Sequence, residues 1–270
     1  MSHYTVLVVT EDGDYEKALE PFDENLEVEP YVEETKEQII ERLKQRKKRY
    51  DEEIAKGGIY DWFEKYYGQV NWDDNESIYS AYRKIEEDED FDESGNKLST
   101  YNPNSKWDWY QLGGRWGGSF KLKESREVIK ESDKTWATGW EDVKEGYTDH
   151  AQFKDIDLTL NPKDVEEAKR FWEVVVENKP AQENEKFDTF WKPEYYIEQY
   201  DDKETYIKCQ TELFACALLY KGEWIEAGRM GWFGCKNSTS DSEKAYREKF
   251  YEVINSLKPT DYLSMIDCHI

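Results

Sequence analysis

The strand-like segments of this chain lie at its two ends, and this placement limits the folds that it can adopt. Residues 4–9 are apolar and β-branched enough for a buried strand. Near the other end, residues 213–220 and 224–227 flank Gly222 and predict a hairpin, and residues 262–270 alternate as a closing strand does. A sheet built from both ends of the chain leaves the residues between them as an insertion.

A helix is predicted between the hairpin and the closing strand. Ser240 with Glu243 has the spacing of a helix-capping box. Apolar residues then recur at helical spacing: Tyr246, Phe250, Val253, Ile254 and Leu257. The sequence therefore predicts an α+β fold with a small mixed or antiparallel sheet and packed helices. We expect an α/β sandwich core from residues 1–32 and 205–270, and a largely helical, aromatic-rich insertion from residues 33–204.

Two helices are predicted inside the insertion. Thr35 with Gln38 forms a capping-box pattern before a periodic apolar segment that stops at the glycine pair 57–58. Asn161 followed by Pro162 is typical of a second helix start. The first helix carries the basic cluster of the chain: Arg42, Lys44, Arg46, Lys47, Lys48 and Arg49. We expect this cluster to pair with acidic loops, either within the chain or across a homo-oligomer.

Composition decides between a folded and a disordered chain. Charged residues make up 36% of the sequence and the mean hydropathy is −1.02, values that alone are typical of disorder. Aromatic residues nevertheless reach 16%, and disordered chains are poor in them. Because each buried ring removes a large apolar area from water, we predict a folded protein with an aromatic core.

The net charge of −24 restricts the partners of the chain. Such a charge repels nucleic acid and anionic membranes, so we expect direct binding to neither. Basic protein surfaces are the expected partners, for instance the nucleic-acid groove of another protein. The alternative is that the charge serves solubility alone.

The sequence favours a reducing compartment and contains no catalytic motif. Residues 4–9 are too short for the apolar region of a signal peptide, and no apolar run approaches the roughly 20 residues that span a bilayer. The four cysteines are far apart and form no Cys-x-x-Cys pair, so we expect free thiols in the cytoplasm. The sequence has no nucleophile elbow and no suitable Cys–His pair, and it predicts no cofactor and no catalytic residue.

An acidic run is the first candidate binding surface. Seven carboxylates occupy eight positions, namely Glu86, Glu87, Asp88, Glu89, Asp90, Asp92 and Glu93. Like charges at this density favour an exposed, mobile loop. Together with the acidic residues of 11–34, they could imitate the phosphates of a nucleic acid at an interface that also uses aromatic contacts. The alternative is a solvated loop without a partner.

A glycine-rich, aromatic segment at residues 106–118 is the second candidate. It contains Trp107, Asp108, Trp109, Arg115 and Trp116. Glycines let a backbone come close to a flat or anionic group, and an arginine can bind a carboxylate or phosphate. We expect Asp108 to orient Arg115. The alternative is that the tryptophans anchor the insertion and the glycines form tight turns.

Residues 228–234 repeat this composition with Arg229 and Trp232. Two loops of this kind predict one shared cleft in which Arg115 and Arg229 contact an anion. The spacing differs from that of a phosphate-binding loop, which requires Lys-Ser or Lys-Thr after its last glycine. The alternative is that Trp232 plugs the end of the sheet.

The third candidate lies where the two ends of the chain meet. If the first and last strands are antiparallel neighbours, His3 lies opposite His269, and Asp267 shares their face. Such a set suits zinc or a non-haem metal, or acid–base chemistry. His150, next to Asp149, is the remaining histidine. The alternative is that the terminal histidines are solvated strand ends.

Several motifs together resemble those of a widespread set of phage and prophage proteins. They are residues 1–8 (MSHYTVLV), 106–110 (KWDWY) with 113–116 (GGRW), 228–232 (GRMGW) and 267–270 (DCHI). Small acidic phage proteins often act by occupying host nucleases or other defence proteins, so the resemblance raises the weight of the acidic surface.

These observations lead to one main hypothesis and two alternatives. The main hypothesis is a non-enzymatic phage accessory protein that acts in the host cytoplasm. It binds and inhibits a host defence protein, such as a nuclease complex, through an acidic, aromatic surface. The first alternative is a protein that binds a small molecule, nucleotide or metal through Arg115, Arg229 and the histidines. The second is a structural or packaging-associated protein.

Overall fold

A computed structural model describes residues 2–58, 61–123, 145–183, 185–231 and 235–270, with the side chains of residues 61 and 62 excepted. The chain forms two compact units. The larger comprises Met1–Leu26 and Pro103–Ile270, and the smaller comprises Glu27–Asn102. Both contain helices and strands, and the larger holds a mixed sheet with both terminal segments, so the predicted α+β class is confirmed.

The described strands are β1 His3–Thr10, β2 Tyr31–Glu34, β3 Lys97–Ser99, β4 Trp109–Leu112, β5 Phe120–Lys121, β6 Tyr147–Thr148, β7 His150–Gln152, β8 Ala217–Tyr220, β9 Glu223–Glu226 and β10 Tyr262–His269. The described α-helices are α1 Tyr15–Leu19, α2 Lys36–Ala55, α3 Asp61–Tyr67, α4 Asn75–Ile85, α5 Pro162–Phe171, α6 Pro193–Tyr200, α7 Lys203–Thr211 and α8 Ser240–Ser256. A π-helical turn, Trp172–Val176, continues α5. None of the described helices is both long enough and apolar enough to cross a membrane.

The main sheet is organised around the first and last strands. Strand β1 pairs with β10 antiparallel along its whole length and with β8 in parallel. The other edge of β10 is shared by β4, beside residues 266–269, and β7, beside residues 262–264. Strand β9 completes the sheet as the hairpin partner of β8. The predicted pairing of the chain ends and the predicted hairpin are therefore confirmed.

Both faces of this sheet are covered, which explains why β1 is apolar on both sides. On one face Leu7 and Leu263 pack against Phe250 of α8. On the opposite face Val6 and Ile266 belong to a second cluster, which also contains Leu19, Phe22 and Trp107. Each fully buried side chain of this size contributes about 1.5–3 kcal/mol. The sheet is thus the middle layer of the larger unit.

The predicted domain boundaries differ from those in the structure. Strands β4 and β7 fall within the predicted insertion 33–204, yet both pair with β10. The separate compact unit spans only Glu27–Asn102. Short strands with polar and aromatic residues lack the alternation by which a strand is recognised in sequence, so β4 and β7 gave no signal.

Helix starts agree with their predicted caps in two of three cases. Thr35 Oγ1 accepts the amide hydrogen of Gln38 at 3.2 Å, and Gln38 Oε1 accepts the amide hydrogen of Thr35 at 2.8 Å. Asn161 caps α5 as predicted. Helix α8 instead has Thr239 as its N-cap, with Ser242 as the reciprocal partner. The prediction was one residue late because Ser240-x-x-Glu243 carries the same pattern.

The smaller unit has its own core. Helices α2 and α4 contribute Ile39, Leu43 and Ile78, and stacked aromatic rings from α3 complete the cluster. Strands β2 and β3 form a short antiparallel ladder with an irregular register. The predicted aromatic character of the core holds here, since Phe63, Tyr67, Tyr79 and Tyr82 are all buried.

Candidate functional site

Three adjacent strands bring an aromatic row to one end of the main sheet. The register places His3 of β1 opposite His269 of β10, and His269 opposite Trp109 of β4. The two imidazole centroids are 4.9 Å apart in an edge-to-face arrangement, and the Trp109 ring lies 5.8 Å from that of His3. The predicted opposition of the two histidines is therefore confirmed.

Each of the two imidazoles faces its own carboxylate. His3 Nδ1 lies 2.8 Å from Asp267 Oδ1, and His269 Nδ1 lies 2.5 Å from Asp108 Oδ1. The histidine side chains are 11% and 13% exposed, and Asp267 is almost fully buried. We call these four residues the paired His–Asp site. An imidazole that donates Nδ1–H to a carboxylate keeps Nε2 for a proton or a ligand, as general acids and bases do.

The site does not have the predicted metal-ligand arrangement of His3, Asp267 and His269. Asp267 is the hydrogen-bond partner of His3, and it does not converge with the histidines on a common point. Across the described part of the chain, no group of three or more His, Cys, Asp or Glu side chains is arranged to hold a metal ion. His150 lies apart from the site, with Nδ1 2.8 Å from Ser264 Oγ and its ring stacked on Tyr262.

Two buried carboxylates hold the glycine-rich loop after β4. Asp267 Oδ2 accepts the backbone N–H of Arg115 at 3.0 Å. Asp149 accepts those of Gly118 at 2.9 Å and Ser119 at 2.8 Å. Burial raises the pKa of Asp149, and these backbone donors act in the opposite direction. Sequence analysis did not assign Asp149 this role, because nothing in its local sequence marks it as a loop anchor.

The first two glycines of the loop are required by this close approach. A Cβ on Gly113 would lie 2.2 Å from Asp149 Oδ2, and one on Gly114 would lie 2.5 Å from Asp267 Oδ2. Both residues also have positive φ, +69° and +51°. The backbone of this loop does approach anionic groups as predicted, but the anions are the protein's own carboxylates, Asp149 and Asp267.

The predicted pairing of Asp108 with Arg115 is wrong, because Asp108 contacts His269. A shared pocket for Arg115 and Arg229 is also unsupported. Arg115 is bonded through its backbone to Asp267, whereas Arg229 Nη2 lies 3.5 Å from Ser105 Oγ.

Those two contacts lie on opposite sides of the sheet. Ser105 precedes Lys106, whose carbonyl accepts the Tyr4 hydroxyl hydrogen. Tyr4 pairs with Cys268, and successive residues of a strand face opposite sides, so Tyr4 and Asp267 belong to different faces. The predicted Trp232 lies outside the described residues.

The tryptophans of the 106–118 segment have different roles. Trp107 is buried, donates its indole N–H to the Leu19 carbonyl at 3.3 Å, and packs edge-on against Tyr110. Trp109 and Trp116 are both more than two-fifths exposed. The anchoring interpretation therefore holds for Trp107, while the other two rings remain accessible beside the paired His–Asp site and on the loop.

The acidic run of the smaller unit forms an ordered turn. Asp92 accepts hydrogen bonds from the backbone N–H groups of Ser94 and Asn96, each at 2.9 Å, and from the Asn96 side chain. These donors, with Asn96 first, lower the pKa of Asp92. The Leu98 amide donates to the Asp90 carbonyl at 2.8 Å, which closes the turn. We call residues 86–98 the acidic turn. The predicted exposure holds for part of this segment, and its carboxylates also accept hydrogen bonds from backbone donors, which a count of charges does not reveal.

The carboxylates of the acidic turn divide into two groups. Glu86 and Glu89 are half-buried, and Glu89 forms a salt bridge with Lys97. Four side chains are exposed and have no ion pair with any described residue: Glu87, Asp88, Asp90 and Glu93. Phe91 points inward, edge-on to Tyr79 and Tyr82 and under the guanidinium of Arg83 at 3.8 Å. The turn thus presents charge outward and its aromatic ring inward.

Part of the basic cluster on α2 neutralises acidic residues of its own unit. Arg42 binds Glu34 with two hydrogen bonds of 2.7 and 2.8 Å, and this contact raises the pKa of Arg42. A cavity of about 640 Å³ is lined by this pair, by Lys97 and by further carboxylates. The predicted pairing of basic cluster and acidic loops is confirmed within the chain for Arg42. The four exposed carboxylates of the acidic turn remain outside this network.

Comparison of the chain with protein-family models, with curated proteins and with solved structures finds no match.

Proposed function

We propose that this protein binds a basic surface of a host protein and inhibits that protein by occupying the surface. One observation carries the proposal. Glu87, Asp88, Asp90 and Glu93 are exposed on an ordered turn and lack ion-pair partners among the described residues. Because hydrogen bonds already hold the backbone of the turn, less of its conformational entropy is lost when the charges meet a complementary surface.

Electrostatics and the sequence resemblance narrow the kind of partner. A net charge of −24 accelerates the encounter with a cationic surface and disfavours acidic ones. Strongly cationic protein surfaces are typical of nucleic-acid-binding grooves. The motifs that resemble those of phage and prophage proteins favour a host defence protein, such as a nuclease complex, met in the host cytoplasm.

The proposal is tested by capture from infected host cells, followed by competition. The tagged protein is used as bait, and a stoichiometric host protein is recovered and purified. We expect this partner to bind nucleic acid, and we expect the wild-type chain to displace that nucleic acid and to inhibit the partner's activity.

A charge-matched pair of variants separates the acidic turn from charge in general. The turn variant carries Glu87→Gln, Asp88→Asn, Asp90→Asn and Glu93→Gln. The control carries Glu52→Gln, Asp73→Asn, Glu183→Gln and Glu248→Gln, which removes the same charge from exposed positions elsewhere. We expect the turn variant to lose displacement and the control to retain it. Retention of full activity by the turn variant would contradict the proposal.

A second candidate function is favoured by the paired His–Asp site. Two largely buried imidazoles, each with a carboxylate at Nδ1 and beside an exposed tryptophan, suit the binding of a small ligand. The test is a thermal-shift screen against nucleotides and divalent metals. A ligand that raises the Tm by several degrees in the wild type, but not in the His3→Asn, His269→Asn variant, supports this function. Equal shifts in both proteins would exclude it.

A further inference from the structure

A cluster of three aromatic side chains lies on the surface of the larger unit. Phe190, Trp191 and Tyr195 are 89%, 51% and 36% exposed. The Trp191 and Tyr195 rings are stacked with centroids 4.7 Å apart, and Phe190 meets Trp191 edge-on at 5.0 Å. We call these residues the exposed aromatic cluster. Single exposed rings are common, but three rings joined through Trp191 form an accessible apolar patch that requires an explanation.

The cluster is held in place by the residues around it. Thr189 Oγ1 donates to the Trp191 carbonyl at 3.0 Å and accepts the Trp191 amide hydrogen at 3.2 Å. The same oxygen lies 2.6 Å from the Tyr196 hydroxyl, and Tyr196 packs in the interior against Phe171 and Tyr206. The exposure of the rings is therefore a property of an ordered segment that leads into α6.

The chemistry around the rings is that of a cation-binding surface. Glu194 and Glu198 of α6 are exposed and lie one helical turn apart. Tyr195 lies between them in the sequence. Burial, followed by the negative charge of Glu243, raises the pKa of Tyr195, but Glu243 is already paired with Lys236 at 3.5 Å, so Glu194 and Glu198 are the carboxylates left for an incoming cation. An aromatic face bordered by carboxylates attracts an ammonium or guanidinium group.

Other aromatic rings of the same unit already hold a cation. Lys208 Nζ lies 3.9 Å from the ring centroid of Tyr251, and the Arg247 guanidinium lies 5.3 Å from that of Tyr200. Among the described residues, no lysine or arginine lies over a ring of the exposed aromatic cluster. The ring surface that the stacking of Trp191 on Tyr195 leaves uncovered is consequently available to a cation supplied by another molecule.

We propose that the exposed aromatic cluster is a docking surface for arginine side chains of a partner protein. The inference rests on the proposed function and adds a second contact to it, on a different unit from the acidic turn. Arginine is preferred to lysine because its planar guanidinium stacks on a ring while it binds carboxylates such as Glu194 and Glu198. Tryptophan, tyrosine and arginine are also the residues that dominate binding energy at protein interfaces.

The experiment measures the affinity of the whole chain for hexa-arginine and hexa-lysine peptides at about 150 mM salt, where distant charges are screened. We expect the wild type to prefer the arginine peptide. The Trp191→Ala, Tyr195→Ala variant should bind the arginine peptide about five- to tenfold more weakly and lose the preference. Ile197→Ala is the matched control, since Ile197 is an exposed apolar residue of the same helix without a ring. Circular dichroism confirms that all variants are folded.

The outcomes distinguish this inference from the proposed function. Neutralising the acidic turn should lower the affinity for both peptides by the same factor. It should leave the preference for the arginine peptide intact, because it removes charge without removing rings. If Trp191→Ala, Tyr195→Ala binds both peptides as the wild type does, or if Ile197→Ala has an equal effect, the cluster is not an arginine-docking surface. The acidic turn would then stand alone, and its own charge-matched variants would still test it.

Discussion

At the scale of single residues, the carboxylates of this protein have two distinct functions. Asp149 and Asp267 are buried and accept backbone hydrogen bonds from the glycine-rich loop. Asp92 does the same inside the acidic turn. Asp90 and Glu93, which lie close to Asp92 in the sequence, are exposed. The sequence shows all of these as one abundant residue type, so the fold alone separates carboxylates that build a loop from carboxylates that are available to a partner.

The loop after β4 yields a stability prediction. Gly114→Ala forces a residue with a side chain into φ +51° and places its Cβ 2.4 Å from Asp267 Cβ. We expect a loss of about 2–4 kcal/mol in the free energy of unfolding, from backbone strain and overpacking together. Gly222→Ala is the control, since Gly222 has φ +78° with open space around it. It should cost about 1–2 kcal/mol. Equal losses in urea denaturation would show that Asp267 does not confine the loop.

The acidic turn yields a prediction on local order. Asp92→Ala removes the acceptor for the Ser94 and Asn96 amides, so their hydrogen exchange should accelerate. Asp90→Ala should leave them protected, because Asp90 closes the turn through its backbone carbonyl. The folded pKa of Asp92 is lowered from 3.8. Its contribution is therefore complete above that value and is lost as the pH falls through the lowered folded pKa. Equal exchange rates in both variants would contradict this account.

At the scale of elements, charge pairs link α5 and α7. Glu173 accepts hydrogen bonds from Lys203 at 2.6 Å and from Arg170 at 2.8 Å, and Arg170 also binds Glu185 through two nitrogens. The bond to Lys203 is the main cause that lowers the pKa of Glu173 to about 2, and the bond to Arg170 lowers that of Glu185 to about 2. Both groups normally have a pKa of 4.5.

This network predicts a defined pH dependence. Because the folded pKa values lie below the unfolded ones, the stabilisation is complete above about pH 4.5 and is lost as the pH falls toward 2. The difference in Tm between the wild type and the Glu173→Gln, Glu185→Gln variant should therefore be constant at neutral pH. It should shrink steadily between pH 5 and pH 3. A difference that stays the same over this range would show that the carboxylates are not held by these bonds.

Elements with strong local signals could be predicted from the sequence. The capping box at Thr35 and the apolar run of β1 gave the start of α2 and the pairing of the chain ends. Strands β4 and β7 could not be predicted, because they are short and their extended conformation depends on pairing with β10. For the same reason, the predicted insertion of residues 33–204 is longer than the separate compact unit Glu27–Asn102.

At the scale of the whole molecule, the candidate sites were predictable to the extent that sheet register fixes neighbours. Antiparallel pairing alone placed His3 opposite His269 with Asp267 on their face. The fourth residue of the paired His–Asp site, Asp108, directly precedes β4. Its contact with His269 depends on a strand that could not be recognised in the sequence. The exposed aromatic cluster also escaped prediction, because exposure is decided by packing and not by residue type.

At the surface of the intact molecule, we propose that the exposed carboxylates of the acidic turn dock onto a basic partner. The most direct test is the affinity for the purified partner at about 50 and 300 mM salt, measured for the wild type, the neutralised acidic turn and the charge-matched control. We predict that the turn variant binds at least about tenfold more weakly at low salt, with a flatter salt dependence, while the control follows the wild type. Identical affinities and salt dependences for the turn variant and the wild type would contradict the account.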